Sequence, residues 1–392
     1  MSTIKVNSIK NTSTSDGGIS IDGSGHVTID GQKLPSAGPL SNRNVFHNGA
    51  MRVDQRNTAS SAITFDAGGT TSGYSVDGCK FFNVGTGELD LQTEQVTEAP
   101  VGFSNSLRVT VATAESSGGT PAADDRATLQ MRLEGNATTN FAFGTSDAKD
   151  FVLSFYVRAS TAGNYGAVVT NSSDRSYPVL YNIASANTWE RKTIKLPACT
   201  DGTWNTGTGT NLILKFSFYV GSNRLGTDQG VDGSGTWVTN QTAQGTTNQV
   251  QFGGTVNETW HITGVQLEVG SVATPFEHRS FGDELARCQR YYWQTPTGVN
   301  SNFAFSGFAN TTTNSLILTR NPVPMRAAPS FTSVGSWTII DGAGFSVSSF
   351  TFQEATGLTG RLDCTCSGLT VSRPNILRTA STTSTLQFSA EL

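Results

Sequence analysis

The stretch FVLSFYVRA (151–159) places Phe151, Leu153, Phe155 and Val157 on one side of an extended chain. LILKFSFYV (212–220) does the same with Leu212, Leu214, Phe216, Phe218 and Val220. Side chains at successive positions of a strand point to opposite faces, so this period of two commits each stretch to a strand with one buried face. Burying four or five such side chains stabilises by roughly 6–12 kcal/mol before entropy is counted. The pattern recurs through most of the chain, in KFFNV, LDLQTEQV, SLRVTVAT, ATLQMRL, NYGAVVTN, YPVLYNI, WERKTIKL, NQVQFGG and HITGVQLEV. In the last, Val265, Leu267 and Val269 are expected to point inward and Gln266 and Glu268 outward. Polar turns separate the strands and no helical pattern intervenes, which predicts a two-sheet sandwich of the jelly-roll kind.

Three strand-rich segments follow one another. Residues 1–40 carry short alternating runs, with Ile4 and Val6, then Ile19, Ile21, Val27 and Ile29, around a turn at Asp22-Gly23-Ser24-Gly25. Such strands make a poor core alone, so their apolar face is expected to pack on other chains. Residues 41–279 form the large sandwich, 280–293 a connecting helix, and 294–392 a smaller sandwich. In that last segment Pro322, Pro324 and Pro329 confine their stretch to an edge or a connection. No long internal repeat is visible, which disfavours a β-helix. The fold class expected is all-β, with one helix.

That helix is written in FEHRSFGDELARCQRYYWQ (276–294). Ser280 fits an N-cap, and Asp283 and Glu284 suit the positive end of the helix dipole. Phe281, Leu285, Cys288 and Tyr292 recur at helical spacing and are expected to pack as one face of about 13 residues.

Composition excludes several functions. Only 14% of residues are charged, while Gly numbers 42 and Phe 22. Net charge is −4 and no Lys/Arg cluster appears in the sequence, which speaks against nucleic-acid binding. No apolar run reaches membrane-spanning length, and MSTIKVNSIKNTSTSDGG is not a signal peptide. Five scattered cysteines (79, 199, 288, 364 and 366) do not suggest a disulfide framework. With four histidines the Cys364-Thr365-Cys366 pair lacks ligands for a metal site. No cofactor or metal is expected.

The search for catalytic groups finds Asp124-Asp125 in a loop, Glu268 on a strand, Asp283 and Glu284 at the helix start, and His26, His47, His261 and His278 scattered. No G-x-S-x-G or H-E-x-x-H occurs. Binding is better motivated. Trp204, Trp237, Tyr177 and Arg175 lie in or beside polar loops, and aromatic faces with polar neighbours hold sugar rings. They are the candidate glycan-binding residues.

The segment ITGVQLEVGSVATPFEHRSFGDELARCQRYYWQ resembles one found in many bacteriophage tail fibres and receptor-binding proteins. There a last sandwich strand ends in L-E-x-G-x-x-A-T-P-F-E, and a short helix leads to C-Q-R-Y-Y. Upstream, NVFHNGAMRVDQRNT is similar to their domain opening N-G-x-M-x-V-x-Q-R, and 151–197 and PVPMRAAPSFT are similar to further segments. MSTIKVNSI is similar to fibre N-termini from phages of cyanobacteria and other marine hosts. The resemblance implies a virion tail fibre, without membrane insertion, made in the host cytoplasm. It implies a homotrimer joined to a tail adaptor, tube or baseplate protein through its N-terminus, with Ile4, Val6, Ile19 and Ile21 packing there. It implies carbohydrate-binding-module-like sandwiches that hold a lipopolysaccharide-type host glycan without cutting it. A depolymerase tailspike and a purely structural spacer are the alternative readings.

Overall fold

The computed structural model describes every residue except 1–7, 11–17, 24, 30–31, 57–60, 117–119, 172, 240–241 and 297–302. Ile4 and Val6 therefore lie outside the described residues. The chain is nearly all β, with one α-helix among the described residues, and it divides into two compact units, 1–280 and 281–392.

The first unit begins with a four-stranded antiparallel sheet, Ser8–Lys10, Gly18–Ile21, Val27–Ile29 and Gln32–Lys33. The expected hairpin is present, with Ile21 paired to Val27. Ile9, Ile19, Ile21 and Ile29 are all exposed.

Two six-stranded sheets then pack face to face. One runs, in spatial order, Ser176–Ile183, Gly163–Asn171, Thr210–Val220, Arg126–Glu134, Cys79–Gly85, Gly69–Tyr74. The other runs Glu190–Leu196, Phe151–Ala159, Thr259–Val269, Ser106–Thr113, Asp90–Val96, Ile63–Phe65. The chain passes repeatedly from one sheet to the other, and every paired neighbour is antiparallel. This is a jelly-roll-like β-sandwich. The alternating residues meet between the sheets as aromatic pairs, Phe155 on Phe216 at 5.0 Å and Phe218 on Trp260 at 5.0 Å. Such pairs add directional contacts to a large buried apolar area.

The strand Thr259–Val269 departs from simple alternation. Trp260 and Ile262 face the core, yet so do Val265, Leu267 and Val269. The pairing with Phe151–Ala159 slips between Ser154 and Tyr156, opposite Gln266 and Thr263. Gly264 sits there with φ of +63°, and a Cβ on it would come within 2.7 Å of Phe103. A bulge with glycine in the left-handed region inserts one residue and resets which parity faces inward.

Gln266 and Glu268 are not outward and solvated, as alternation predicts. Both are buried, Glu268 to 1% exposure, because residues 44–49 and 274–279 cover that face of the strand. Glu268 accepts the Thr274 backbone N–H at 2.8 Å and its hydroxyl at 2.8 Å. Gln266 accepts from the Glu277 amide at 2.8 Å, and Glu277 in turn accepts from the Asn44 amide at 3.0 Å. Asn44 donates to Val265 O at 2.9 Å, and Arg279 donates to the carbonyls of Phe46, at 3.0 Å, and Asn44. The two segments that carry the tail-fibre resemblance therefore form one buried polar knot, which ties the start of the sandwich to its last strand. A buried polar network of this kind stabilises only when every member is paired, which accounts for side chains as particular as Asn44, Gln266, Glu268 and Glu277.

The second unit opens with the helix Phe281–Gln289, nine residues rather than about 13. Tyr292 is not on it: the chain leaves the helix and Tyr292–Gln294 is a strand paired with Thr385–Ser389. The buried helix residues are Glu284 and Cys288, one turn apart, while Leu285 is half-buried and Phe281 is 49% exposed. The expected packing face Phe281–Leu285–Cys288–Tyr292 is thus corrected to one centred on Glu284 and Cys288. Asp283 pairs with Arg287 at 3.6 Å along the outer side.

Behind the helix, a three-stranded sheet (Tyr292–Gln294, Thr385–Ser389, Ser330–Val334) packs on a seven-stranded one. The latter runs Ala343–Ser346, Trp337–Asp341, Pro374–Thr379, Phe303–Thr311, Asn314–Arg320, Thr359–Thr365, Ser349–Gln353. Trp293 is the centre of this core, stacked on Phe388 at 4.5 Å with its indole N–H on Asn321 Oδ1 at 2.9 Å. Cys364 and Cys366 point into the same core, and all five cysteines are buried. Burial pushes the Cys364 and Cys366 pKa values up, away from reactivity. Among the described residues, no helix is long and apolar enough to cross a membrane.

Candidate functional site

Three of the four sequence-predicted binding residues gather at one end of the large sandwich, where three loops meet. Asn171 ends a core strand, and its side-chain oxygen accepts the amides of Ser173, Asp174 and Arg175 at 3.0, 2.7 and 2.8 Å. That turn aims Arg175 at Asp201, which it grips with Nε and Nη2 at 2.8 Å each. A two-point guanidinium–carboxylate contact is directional as well as charged. The bond to Arg175 holds the Asp201 carboxyl below its ordinary pKa, and Asn171 does the same for Asp174.

Trp204 stacks on Phe143 at 4.2 Å and meets Trp237 edge-on at 5.7 Å. Both indoles are half-buried. Their N–H groups are already used, Trp204 on Asp201 O and Trp237 on Pro197 O, both at 2.9 Å. Tyr177 differs from the expectation. It lies within Ser176–Ile183, not in a loop, and its ring is 0% exposed. The parity of that strand turns it into the core, and its hydroxyl donates to Gln229 O at 3.0 Å. It packs under Trp237 at 5.7 Å and cannot touch a ligand. The cluster is a prebuilt rim, with Asp201 exposed and Arg175 and both indoles half-buried.

A second surface escapes sequence reading. On the outer face of the sheet that contains Thr210–Val220, one rung crosses all six strands: Pro178, Val168, Lys215, Gln130, Lys80, Tyr74. Half of this face is covered. Lys215 Nζ donates to Ala243 O at 3.2 Å, Ser217 to Gln244 O, and Thr246 to Val179 O at 3.3 Å, so residues 243–246 lie across the strands.

Beyond that cover lie Tyr74 and Phe82, both half-buried, with cations over their rings. Lys80 Nζ is 5.4 Å from the Tyr74 centroid and 5.1 Å from that of Phe82. Arg132 is 5.5 Å from Phe82, and Arg56 is 4.7 Å from Tyr74. Each such contact is worth about 0.5–1 kcal/mol at an exposed site. Arg132 also donates to Gln130 Oε1 at 2.9 Å, and Gln130 donates to Thr128 at 3.2 Å. The signal in the sequence is KFFNV, in which Phe81 faces the core while Phe82, on the opposite parity, needs some other partner. Lys80 comes from its own strand, but Arg132 comes from a strand about 50 residues away, which no local pattern reveals.

The opposite sheet carries a histidine–glutamate pair on its outer side. His261 Nε2 lies 3.3 Å from Glu98 Oε2, which also binds Arg158. Glu98 and Arg108 help line a cavity of about 390 Å³. Burial lowers the His261 pKa to about 4, with Glu98 pulling the other way and Arg158 and Arg108 lowering it further. The ring is neutral near pH 7 and serves as a packed polar group. Asp124 pairs with Arg224 at 3.2 Å, and Asp125 accepts the amides of Thr86 and Ala122 at 3.2 and 3.1 Å. Both act as loop ties. Among the described residues, no three His, Cys, Asp or Glu side chains gather as a metal site would need.

No family model matches the chain, and no curated protein matches it. Among solved structures it is similar to the enzymatically active domain of bacteriophage CBA120 tailspike protein 4, at 12% identity and a TM-score of 0.27, over 58% of this chain and 21% of that one. The chain thus spans about a fifth of the length of that tailspike domain. It is also similar to the CBM22-1 xylan-binding domain of Paenibacillus barcinonensis Xyn10C, at 12% identity and a TM-score of 0.25, over 54% of this chain and 95% of that one. A third is the family 11 carbohydrate-binding module from Clostridium thermocellum, at 11% identity and a TM-score of 0.25, over 57% and 96% of the two chains. Likenesses at these scores leave ligand and activity to be argued from the chain's own residues.

Proposed function

We propose that this chain is a phage tail fibre that adsorbs to its host by binding cell-surface polysaccharide without cutting it. The observation that carries the binding part is the outer sheet face, where the Tyr74 and Phe82 rings lie beside Lys80, Arg132 and Gln130. Ring faces stack on the C–H faces of sugars, and the flanking donors fix hydroxyls and other oxygens. The Trp204–Trp237–Arg175 rim is a second, smaller contact surface at the end of the same sandwich. The resemblance of residues 44–58 and 261–294 to tail-fibre segments supports the virion part.

In this reading residues 1–40 join a tail adaptor, tube or baseplate protein, and three chains associate there. The exposed Ile9, Ile19, Ile21 and Ile29 then find partners in neighbouring copies. Three copies hold several weak sites against one surface, so adsorption is tight though each site is modest.

Purified full chain is expected to run as a trimer in light scattering, to bind the cells on which the parent phage plates, and to release no reducing ends from their polysaccharide. A monomer that binds those cells equally well would remove the trimer from the account. Released oligosaccharide would replace the adhesin with a depolymerase.

A further inference from the structure

The groups around Phe82 are unevenly matched. Lys80, Arg126, Arg132 and, beneath them, Lys215 all lie on the outward parity of three adjacent strands. Lysine and arginine only donate hydrogen bonds. The face's amide acceptor, Gln130 Oε1, already takes the bond from Arg132. A neutral sugar hydroxyl is served by a mixture of donors and acceptors, whereas this face is rich in donors and in positive charge.

Two of these cations stand apart from the ion pairs nearby. Arg56 has Asp77 at 3.6 Å, and Arg224 has Asp124 at 3.2 Å. Neither Lys215 nor Arg126 forms an ion pair with any described residue. Lys215 is 5% exposed and makes a single hydrogen bond, to a backbone carbonyl. Burial, then the charges of Arg132 and Arg126, lower its pKa to about 7. Burial and Arg224 lower that of Arg126 too, with Asp124 opposing. Like charges held together in a folded chain oppose the fold, and an anion seated among them removes the opposition.

We infer that the open half of this sheet takes an acidic saccharide, one whose rings carry carboxylate or sulfate groups. Tyr74 and Phe82 lie against ring faces, and Lys80, Arg126 and Arg132 meet the charges. The inference rests on the adsorption reading above and adds the chemical class of its ligand.

The test uses the full chain and two pairs of polymers, polygalacturonate with its carboxyl-reduced form and dextran sulfate with dextran, in affinity electrophoresis and calorimetry. The wild-type chain is expected to bind at least one charged polymer and neither uncharged counterpart. The pair that responds tells carboxylate from sulfate. Binding should fade at 1 M salt, where the Debye length shrinks to about 3 Å. Phe82→Ala should weaken it about three- to tenfold. Lys80→Gln with Arg132→Gln should weaken it tenfold or more in a chain that still unfolds in urea as a cooperative transition. The control Lys149→Gln, which removes an exposed cation elsewhere, should change nothing. Equal binding to charged and uncharged polymers overturns the inference, as does indifference to Phe82→Ala or a loss equally large in Lys149→Gln. A chain that adsorbs to host cells but ignores both charged polymers overturns the inference and leaves the adsorption reading standing. A chain that adsorbs to no host cell ends both.

Discussion

Lys215→Met should make the protein more stable at neutral pH and less stable at high pH. The lysine is 5% exposed, and its pKa falls from the ordinary 10.5 to about 7, chiefly through burial. In the unfolded chain the amine keeps its proton up to pH 10.5, whereas in the folded chain it releases it near 7. Between those values the unfolded state binds more protons, so wild-type stability rises with pH through this window and is lost again as pH falls to 7. The difference of about 3.5 units corresponds to roughly 5 kcal/mol, of which about 4 applies at pH 7, where half of the folded lysines are already neutral. Methionine has similar bulk and no charge, but it leaves Ala243 O without the 3.2 Å bond, a loss of about 1–2 kcal/mol. The net gain is about 2–3 kcal/mol at pH 7, shrinking with pH and reversing to a loss of about 1–2 kcal/mol near pH 10.5. Urea unfolding of the full chain, followed by tryptophan fluorescence in steps from pH 6 to 10.5, reads this directly. A variant less stable than wild type at pH 6–7, or a difference that does not vary with pH, would refute the reasoning.

Other parts of the structure yield further expectations. His261, neutral down to about pH 4, should cost stability as pH falls from about 6.5 to 4, and His261→Gln should flatten the urea-midpoint profile in that window. Gly49→Ala places a Cβ 2.2 Å from Val265 O within the buried knot and should lower stability by about 1–3 kcal/mol, read as a lower urea midpoint; an unchanged midpoint would deny the knot its role. Phe388→Ala removes the ring stacked on Trp293 and should destabilise the second unit by about 3–5 kcal/mol, seen as an earlier fluorescence transition.

Strands were the most legible part of the chain. In Phe151–Ala159 and Thr210–Val220 the residues that join the core between the sheets are those the alternation assigns up to Phe218, because one face of each meets the other sheet; past the register shift beyond Ser217, Tyr219 takes the place expected of Val220, and Val152, Ser154, Lys215 and Ser217 on the other parity are buried too. The same logic failed at Gln266 and Glu268, since period two reports which parity faces the core and is silent about what covers the other face. The covering chain comes from residues 44–49, more than 200 positions away. The helix was legible in kind and too long in extent: Tyr291 and Tyr292 continue its spacing, but pairing with Thr385–Ser389 draws Tyr292 into a strand. Among the candidate site residues, Trp204, Trp237 and Arg175 were visible as aromatic and charged groups in polar loops. Tyr177 stands beside a polar loop, as expected, but the parity of its strand turns it into the core. Lys80, Phe82, Arg132 and Lys215 become a surface only through pairings of distant strands, and no short window contains that information.

In the proposed function the Tyr74–Phe82 face holds the host glycan. The most direct measurement is competition, in which purified full chain is added to host cells before the parent phage and plaques are counted. Wild-type protein should block infection, and the triple variant Lys80→Gln, Phe82→Ala, Arg132→Gln should fail to block it while keeping the same oligomeric mass and a cooperative unfolding transition. A triple variant that blocks as well as wild type would contradict the claim.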